Sequence, residues 1–126
     1  MEKQIFNTNN APAPIGPYNQ AVKAGNTLYV SGQIPFDPAT GELVTSGIKD
    51  AADMVMKNLQ AILTEAGMSF ADVVKTTIFL TDMNTFAQVN EVYGSYFTGN
   101  YPARETVQVA ALPRGVNVEI SVIAVK

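Results

Sequence analysis

The chain of 126 residues has neither cysteine nor histidine. Without cysteine there is no disulfide, no thiolate metal site and no thiol nucleophile. Without histidine the commonest general base and the commonest metal ligand are both missing. Chemistry must then come from Arg, Lys, Glu, Asp, Tyr, Ser, Thr, backbone groups or ordered water. Charge is sparse too: 15% of residues are charged, against about 25% in an ordinary soluble domain. So few charges cover a small domain poorly, which points to a homo-oligomer that buries part of the surface. Lys and Arg number 8 against 11 Asp and Glu, a net charge of −3, with no basic run. That is a poor match for a polyphosphate backbone. No stretch of about 18 apolar residues is available to span a membrane. The opening MEKQIFNTNN lacks a signal-peptide apolar segment. A cytoplasmic, soluble protein is the expectation.

What is present is a chain 47% hydrophobic, enough to build one core, so residues 1–126 are read as a single domain. Lys3 to Phe6 reads as a short edge strand. A rigid loop follows, marked by Pro12, Pro14, Gly16 and Pro17. Gly25-Asn26 between two β-prone runs predicts a two-residue hairpin. PFDPATGELV is another turn-rich segment. From Ile48 the period changes: Ile48, Ala51, Ala52, Val55, Leu59, Ile62, Leu63 and Ala66 recur at three and four residues, an amphipathic helix ending near Gly67. DVVKTTIFLTDM is β-branched and aromatic, a buried strand. Asn84 or Thr85 is placed to cap a second helix, whose apolar stripe is Phe86, Val89, Tyr93, Tyr96 and Phe97. The order hairpin, helix, strand, helix, hairpin predicts an α+β fold, with an antiparallel or mixed sheet covered on one face by two helices.

The last stretch, PARETVQVAALPRGVNVEISVIAVK, reads as two strands joined by a turn. Alternation places Val116, Val118, Ile120, Val122 and Ala124 on one face of the final strand, and Asn117, Glu119, Ser121, Ile123 and Val125 on the other. In the strand before it, Arg104, Thr106 and Gln108 lie opposite Val107 and Val109. If the AALPRG turn folds the strands back antiparallel, Thr106 faces Glu119, Gln108 faces Asn117 and Arg104 lies near Ser121. Arg104 and Glu119 then join one polar cluster on the face away from the helices, on a mixed surface suited to a subunit interface. Such a pair has two readings. It is an ion pair stitching subunits together, or it is a site: a guanidinium offers two parallel donors to a carboxylate ligand, and a glutamate can hold or deprotonate a water.

APAPIGPYNQAV, YVSGQIP, VVKTTIFLTDM, FAQVNEVYGSYF and PARETVQVAALPRGVNVEISVIAV occur in that order, and together they resemble the Rid family, the reactive-intermediate imine deaminases of RidA type, over nearly the whole chain. The resemblance implies a six-stranded, mostly antiparallel mixed sheet with two helices on one face (chorismate-mutase-like), assembled as a homotrimer with sites in the clefts between subunits. It implies hydrolysis of 2-imino acids or their enamine tautomers, such as 2-iminobutyrate and 2-aminoacrylate, to 2-keto acids and ammonia, with no cofactor and no metal. Such enamines leave pyridoxal-phosphate dehydratases acting on serine or threonine. Residue by residue, Arg104 matches the family arginine that binds the substrate carboxylate, and Glu119 the acid that positions the attacking water. Tyr18, Ser31, Gly32 and Asn90 match residues lining the pocket. Many relatives read RSCVEVARLP where this chain reads RETVQVAALP, so Thr106 replaces the family cysteine and Glu105 the preceding serine. A hydroxyl at Thr106 still offers one hydrogen bond in the pocket. Two alternatives stay open on the same residues: a trimer that binds a 2-keto acid without turnover, and the endoribonuclease activity given to some members, for which an acidic chain without histidine is a poor match.

Overall fold

A computed structural model describes residues 2–126. A six-stranded sheet runs in the order β1 (Lys3–Phe6), β2 (Ala21–Ala24), β3 (Thr27–Gln33), β8 (Val118–Val125), β6 (Val73–Leu80), β7 (Ala103–Gln108). A separate two-stranded ribbon joins β4 (Phe36–Asp37) to β5 (Glu42–Leu43). Two helices, α1 (Ile48–Glu65) and α2 (Phe86–Gly94), pack on one face of the large sheet. All its pairings are antiparallel except β6–β7, which is parallel. The fold is the α+β arrangement expected: two helices on a mixed, mostly antiparallel sheet.

Several local expectations hold. β1 occupies Lys3–Phe6. The Gly25-Asn26 turn joins Ala24 to Thr27, with Gly25 at φ 61, the left-handed conformation that glycine adopts without steric cost. In α1 the stripe residues Ala51, Ala52, Val55, Leu59, Ile62 and Leu63 are buried as expected, Ile48 and Ala66 at its ends are only partly buried, and Met56 and Asn58 are buried beside it. Asn58 is the polar exception, and its amide is satisfied by Ile34 O at 3.2 Å and Phe36 O at 2.9 Å. The start of α2 differs from expectation: Thr85 makes no side-chain cap. Asp82 instead accepts from Asn84 N at 3.0 Å, one turn earlier, and opens the short helical turn Met83–Thr85.

The final hairpin is not formed. After β7 the chain crosses β6, so β8 lies two places inward with β6 between them. The physical reason is in β8 itself. Val118, Ile120, Val122 and Ala124 are buried, and Ile123 on the other face is also apolar, so β8 gains most as a central strand. The nine residues between Gln108 and Val118 are long enough to cross a neighbouring strand, a distance of about 10 Å. The core lies between this sheet face and the helices, built from Leu28, Val30, Ile78, Leu80, Val118 and Ile120 against Val55, Leu59, Ile62 and Val89. No helix among the described residues is long and apolar enough to cross a membrane.

Candidate active site

Arg104 sits on β7, the sheet's edge strand, opposite Thr76 in the parallel ladder. Thr76 pairs in turn with Val122 on β8. Paired residues share a face, and Val122 and Thr76 are buried under the helices. Arg104 and Thr106 therefore point to the helix side, at the sheet edge where α2 only partly covers them. The Arg104 guanidinium donates from Nη1 to Asn90 Oδ1 at 2.6 Å. Its Cζ lies 5.4 Å from the centre of the Phe86 ring and 5.2 Å from that of Tyr93. The Tyr93 hydroxyl donates to Thr76 Oγ1 at 3.0 Å in the interior. Burial pushes the Tyr93 phenol up, against the opposing pull of the Thr76 bond and the Arg104 charge.

Two cavities share Arg104 as a wall. One of about 510 Å³ is lined by Asn90, Tyr93, Gly94, Tyr101 and Pro102. The other, about 400 Å³, is lined by Met83, Phe86 and Thr106. Thr106 Oγ1 is buried and has no hydrogen-bond partner among the described residues. Thr106 shares the wall of the second cavity with Arg104, but its hydroxyl oxygen is itself covered.

Glu119 lies elsewhere. It pairs with Phe79 on β6, and Ser121 pairs with Thr77, both on the sheet face away from the helices. The β3–β8 register shifts between Val30 and Gln33, so Ser31 and Gly32 form a bulge beside Glu119. A side chain at residue 32 would meet the Glu119 carboxyl, with Cδ at 2.8 Å. Burial pushes the Glu119 carboxyl above its ordinary value. Ser31 anchors the neighbouring loop, its hydroxyl donating to Asn19 O at 2.7 Å. That loop is held by Gln20, only 1% exposed, whose amide binds Thr8 N, Thr8 O, Ala11 O and Pro12 O. Tyr18 projects from the same loop, half exposed, with its ring beside Gly16.

The expected cluster of Arg104, Thr106 and Glu119 is thus corrected. Within the single chain the structure groups Arg104, Asn90 and Thr106 on the helix side, and Gly32 and Glu119, with Ser31 beside them, on the open side. Alternation within each strand is as expected, but β7 pairs with β6 in a register that sets Arg104 beside Thr76 and Thr106 beside Ile78, so its polar residues take the helix side while Glu119 takes the other. Phe86 and Tyr93 read as core from the sequence, yet both touch Arg104. Their spacing from Asn90, four before and three after, is the signal that places all three on one side of α2. Among the described residues no group of three or more acidic side chains is arranged to hold a metal ion.

The open face carries exposed apolar side chains, Tyr29, Val107, Val125 and Ile5. Lys75 and Glu105 form an ion pair at 3.3 Å there.

Residues 8–126 match the family model described as endoribonuclease L-PSP. A RutC family protein from Pyrococcus horikoshii is 54% identical, with 98% of each chain covered. The 2-iminobutanoate/2-iminopropanoate deaminase of Mus musculus is 52% identical over 98% of this chain and 92% of its own. The crystal structure of RidA from the Antarctic bacterium Psychrobacter superposes with a TM-score of 0.93 at 50% identity, covering 98% of this chain and 99% of that one. With a family model spanning most of its length and relatives at about half identity end to end, the chain belongs to the endoribonuclease L-PSP family, the Rid family that its ordered motifs resemble.

Proposed function

We propose that this chain is a 2-imino acid deaminase, hydrolysing 2-iminobutyrate, 2-aminoacrylate and similar small imines or enamines to 2-keto acids and ammonia. The supporting observation is the Arg104 guanidinium, held beside a cavity with only one donor taken by Asn90. Arginine has five donors in a planar fork, so an edge is left to bind a carboxylate in two-point fashion. Glu119, lifted above the ordinary carboxylate range by burial, is the base that holds the attacking water. Since the two side chains leave one protomer on opposite faces, the site is assembled in trans, with Arg104 of one copy meeting Glu119, Gly32, Ser31 and Tyr18 of the next in a homotrimer. The exposed apolar residues of the open sheet face are the surface this assembly covers.

In the reaction, Arg104 clamps the carboxylate and orients the C=N carbon toward the water on Glu119. Water adds to that carbon, Glu119 takes its proton, and the resulting carbinolamine collapses with proton transfer to nitrogen, releasing ammonia and leaving the ketone. Imines hydrolyse unaided, so orientation and one placed base are enough, at ~1.4 kcal/mol per tenfold in rate. The place of such an activity is in the cytoplasm, beside pyridoxal-phosphate dehydratases that release enamines from serine or threonine.

The test is keto-acid release from 2-iminobutyrate and 2-aminoacrylate generated in place by a dehydratase. Wild type accelerates it, and Arg104→Ala loses about 10–100-fold in kcat/KM, the worth of a charge-assisted hydrogen-bonded contact. Equality of wild type with buffer sinks the enzyme and leaves a keto-acid-binding module.

A further inference from the structure

We propose that one stripe of α2, Phe86, Asn90 and Tyr93, backed by Thr76, positions Arg104, so that Asn90 acts through the arginine rather than on the substrate. The consequence for turnover rests on the deaminase reading; the positioning itself does not.

The stripe follows from helical spacing. Residues at i, i+4 and i+7 stack along one side of a helix, and α2 lies over the Arg104 side of β7. The rings of Phe86 and Tyr93 stand 5.4 Å and 5.2 Å from the guanidinium carbon, within cation–π reach. Asn90 Oδ1 lies at hydrogen-bond distance from Nη1. The two rings limit the swing of the guanidinium, and the amide limits its rotation.

The outer end of Tyr93 is pinned as well. Its hydroxyl donates to Thr76 Oγ1, and Thr76 is the cross-strand partner of Arg104. A closed circuit results: Arg104 to Tyr93, Tyr93 to Thr76, and Thr76 back to Arg104 through the β6–β7 ladder. Thr76 is fully buried, so the circuit is fixed to the core while its arginine end reaches the cleft. An arginine on an exposed edge strand is otherwise among the side chains with most rotamer freedom. Holding it beforehand removes that ordering from substrate binding, which improves KM more than kcat.

The chain has two arginines, Arg104 and Arg114, so a nitrogen-15 spectrum of arginine side chains is read directly, with Arg104→Lys and Arg114→Lys identifying each set. In wild type, the terminal N–H groups of Arg104 give separate signals because rotation is hindered. In Phe86→Leu and in Asn90→Ser those signals merge while the Arg114 signals stay unchanged. In the imine assay both variants raise KM about tenfold and change kcat less than about threefold. Tyr93→Phe keeps the ring and loses the pin, giving an intermediate spectrum. Should Phe86→Leu fail to fold, Asn90→Ser, altered at an exposed helix position, carries the test. Arg104 signals that stay separate in Asn90→Ser, or a fall in kcat with KM unmoved, overturn the proposal. The spectrum reads positioning without turnover, so an inactive wild type refutes the deaminase reading and still leaves this one decided.

Discussion

The carboxylate of Glu119 occupies the space that a side chain at Gly32 would need. A Cβ there would overlap Oε2 and stand 2.8 Å from Cδ and 3.0 Å from Cγ. The backbone at Gly32 lies outside the left-handed region, so alanine meets no backbone strain. What must yield is the end of a flexible glutamate. Gly32→Ala therefore changes stability by about 1 kcal/mol, a few degrees in Tm, yet lowers kcat/KM at least about tenfold by displacing the base. Calorimetry beside the imine assay checks both; a large loss of Tm with intact activity would contradict the pairing.

Assembly in trans predicts complementation. Arg104→Ala and Glu119→Gln are each nearly inactive alone. Unfolded and refolded together in equal amounts, they recover about a quarter of wild-type activity, because each working site needs its two parents in one order around a closed ring. Mixed subunits with no recovery would mean that the two residues do not meet across an interface.

Glu119 also sets a pH signature. Its folded pKa is raised by burial, so its ionisation opposes folding. The stability Glu119 contributes is fully present below the ordinary carboxylate value of 4.5 and is lost as pH rises through the folded value. Glu119→Gln unfolds at a Tm equal to or above that of wild type at pH 7, and the gap closes in acid. The acid limb of kcat/KM in wild type lies above 4.5 and is absent in the variant. Thermal melts from pH 4 to pH 8 read the first effect, and the pH–rate profile reads the second.

A second carboxylate behaves in the opposite sense. Burial pushes Asp53 up, but the hydrogen bond from Tyr96 at 2.5 Å and the Lys57 ammonium at 3.0 Å outweigh it, and its pKa falls below 3.8. The stability it contributes is present above that ordinary value and is lost as pH falls through the lowered one. Tyr96→Phe, which cuts this link between α1 and the end of α2, costs about 1–2 kcal/mol at pH 7. The difference shrinks in acid, and urea melts at pH 7 and pH 3 measure it.

The sequence by itself determined the elements and their buried faces. The α1 stripe, the Gly25-Asn26 turn, the edge strand Lys3–Phe6 and the alternation of Val118, Ile120, Val122 and Ala124 are local patterns, set by the 3.6- and 2-residue periods of the backbone. The ordered motifs also carried the family and the candidate residues. Beyond the Gly25-Asn26 hairpin, the neighbours of the later strands were not legible, because alternation states which side chains share a face and is silent about which strand lies alongside. Tertiary packing decided that β8, with one wholly apolar face buried and Ile123 on the other, belongs at the sheet centre beside β6, leaving β7 at the edge. That one exchange turned Arg104 toward α2, where Phe86, Asn90 and Tyr93 hold it, and left Glu119 over Gly32 on the other side of the sheet.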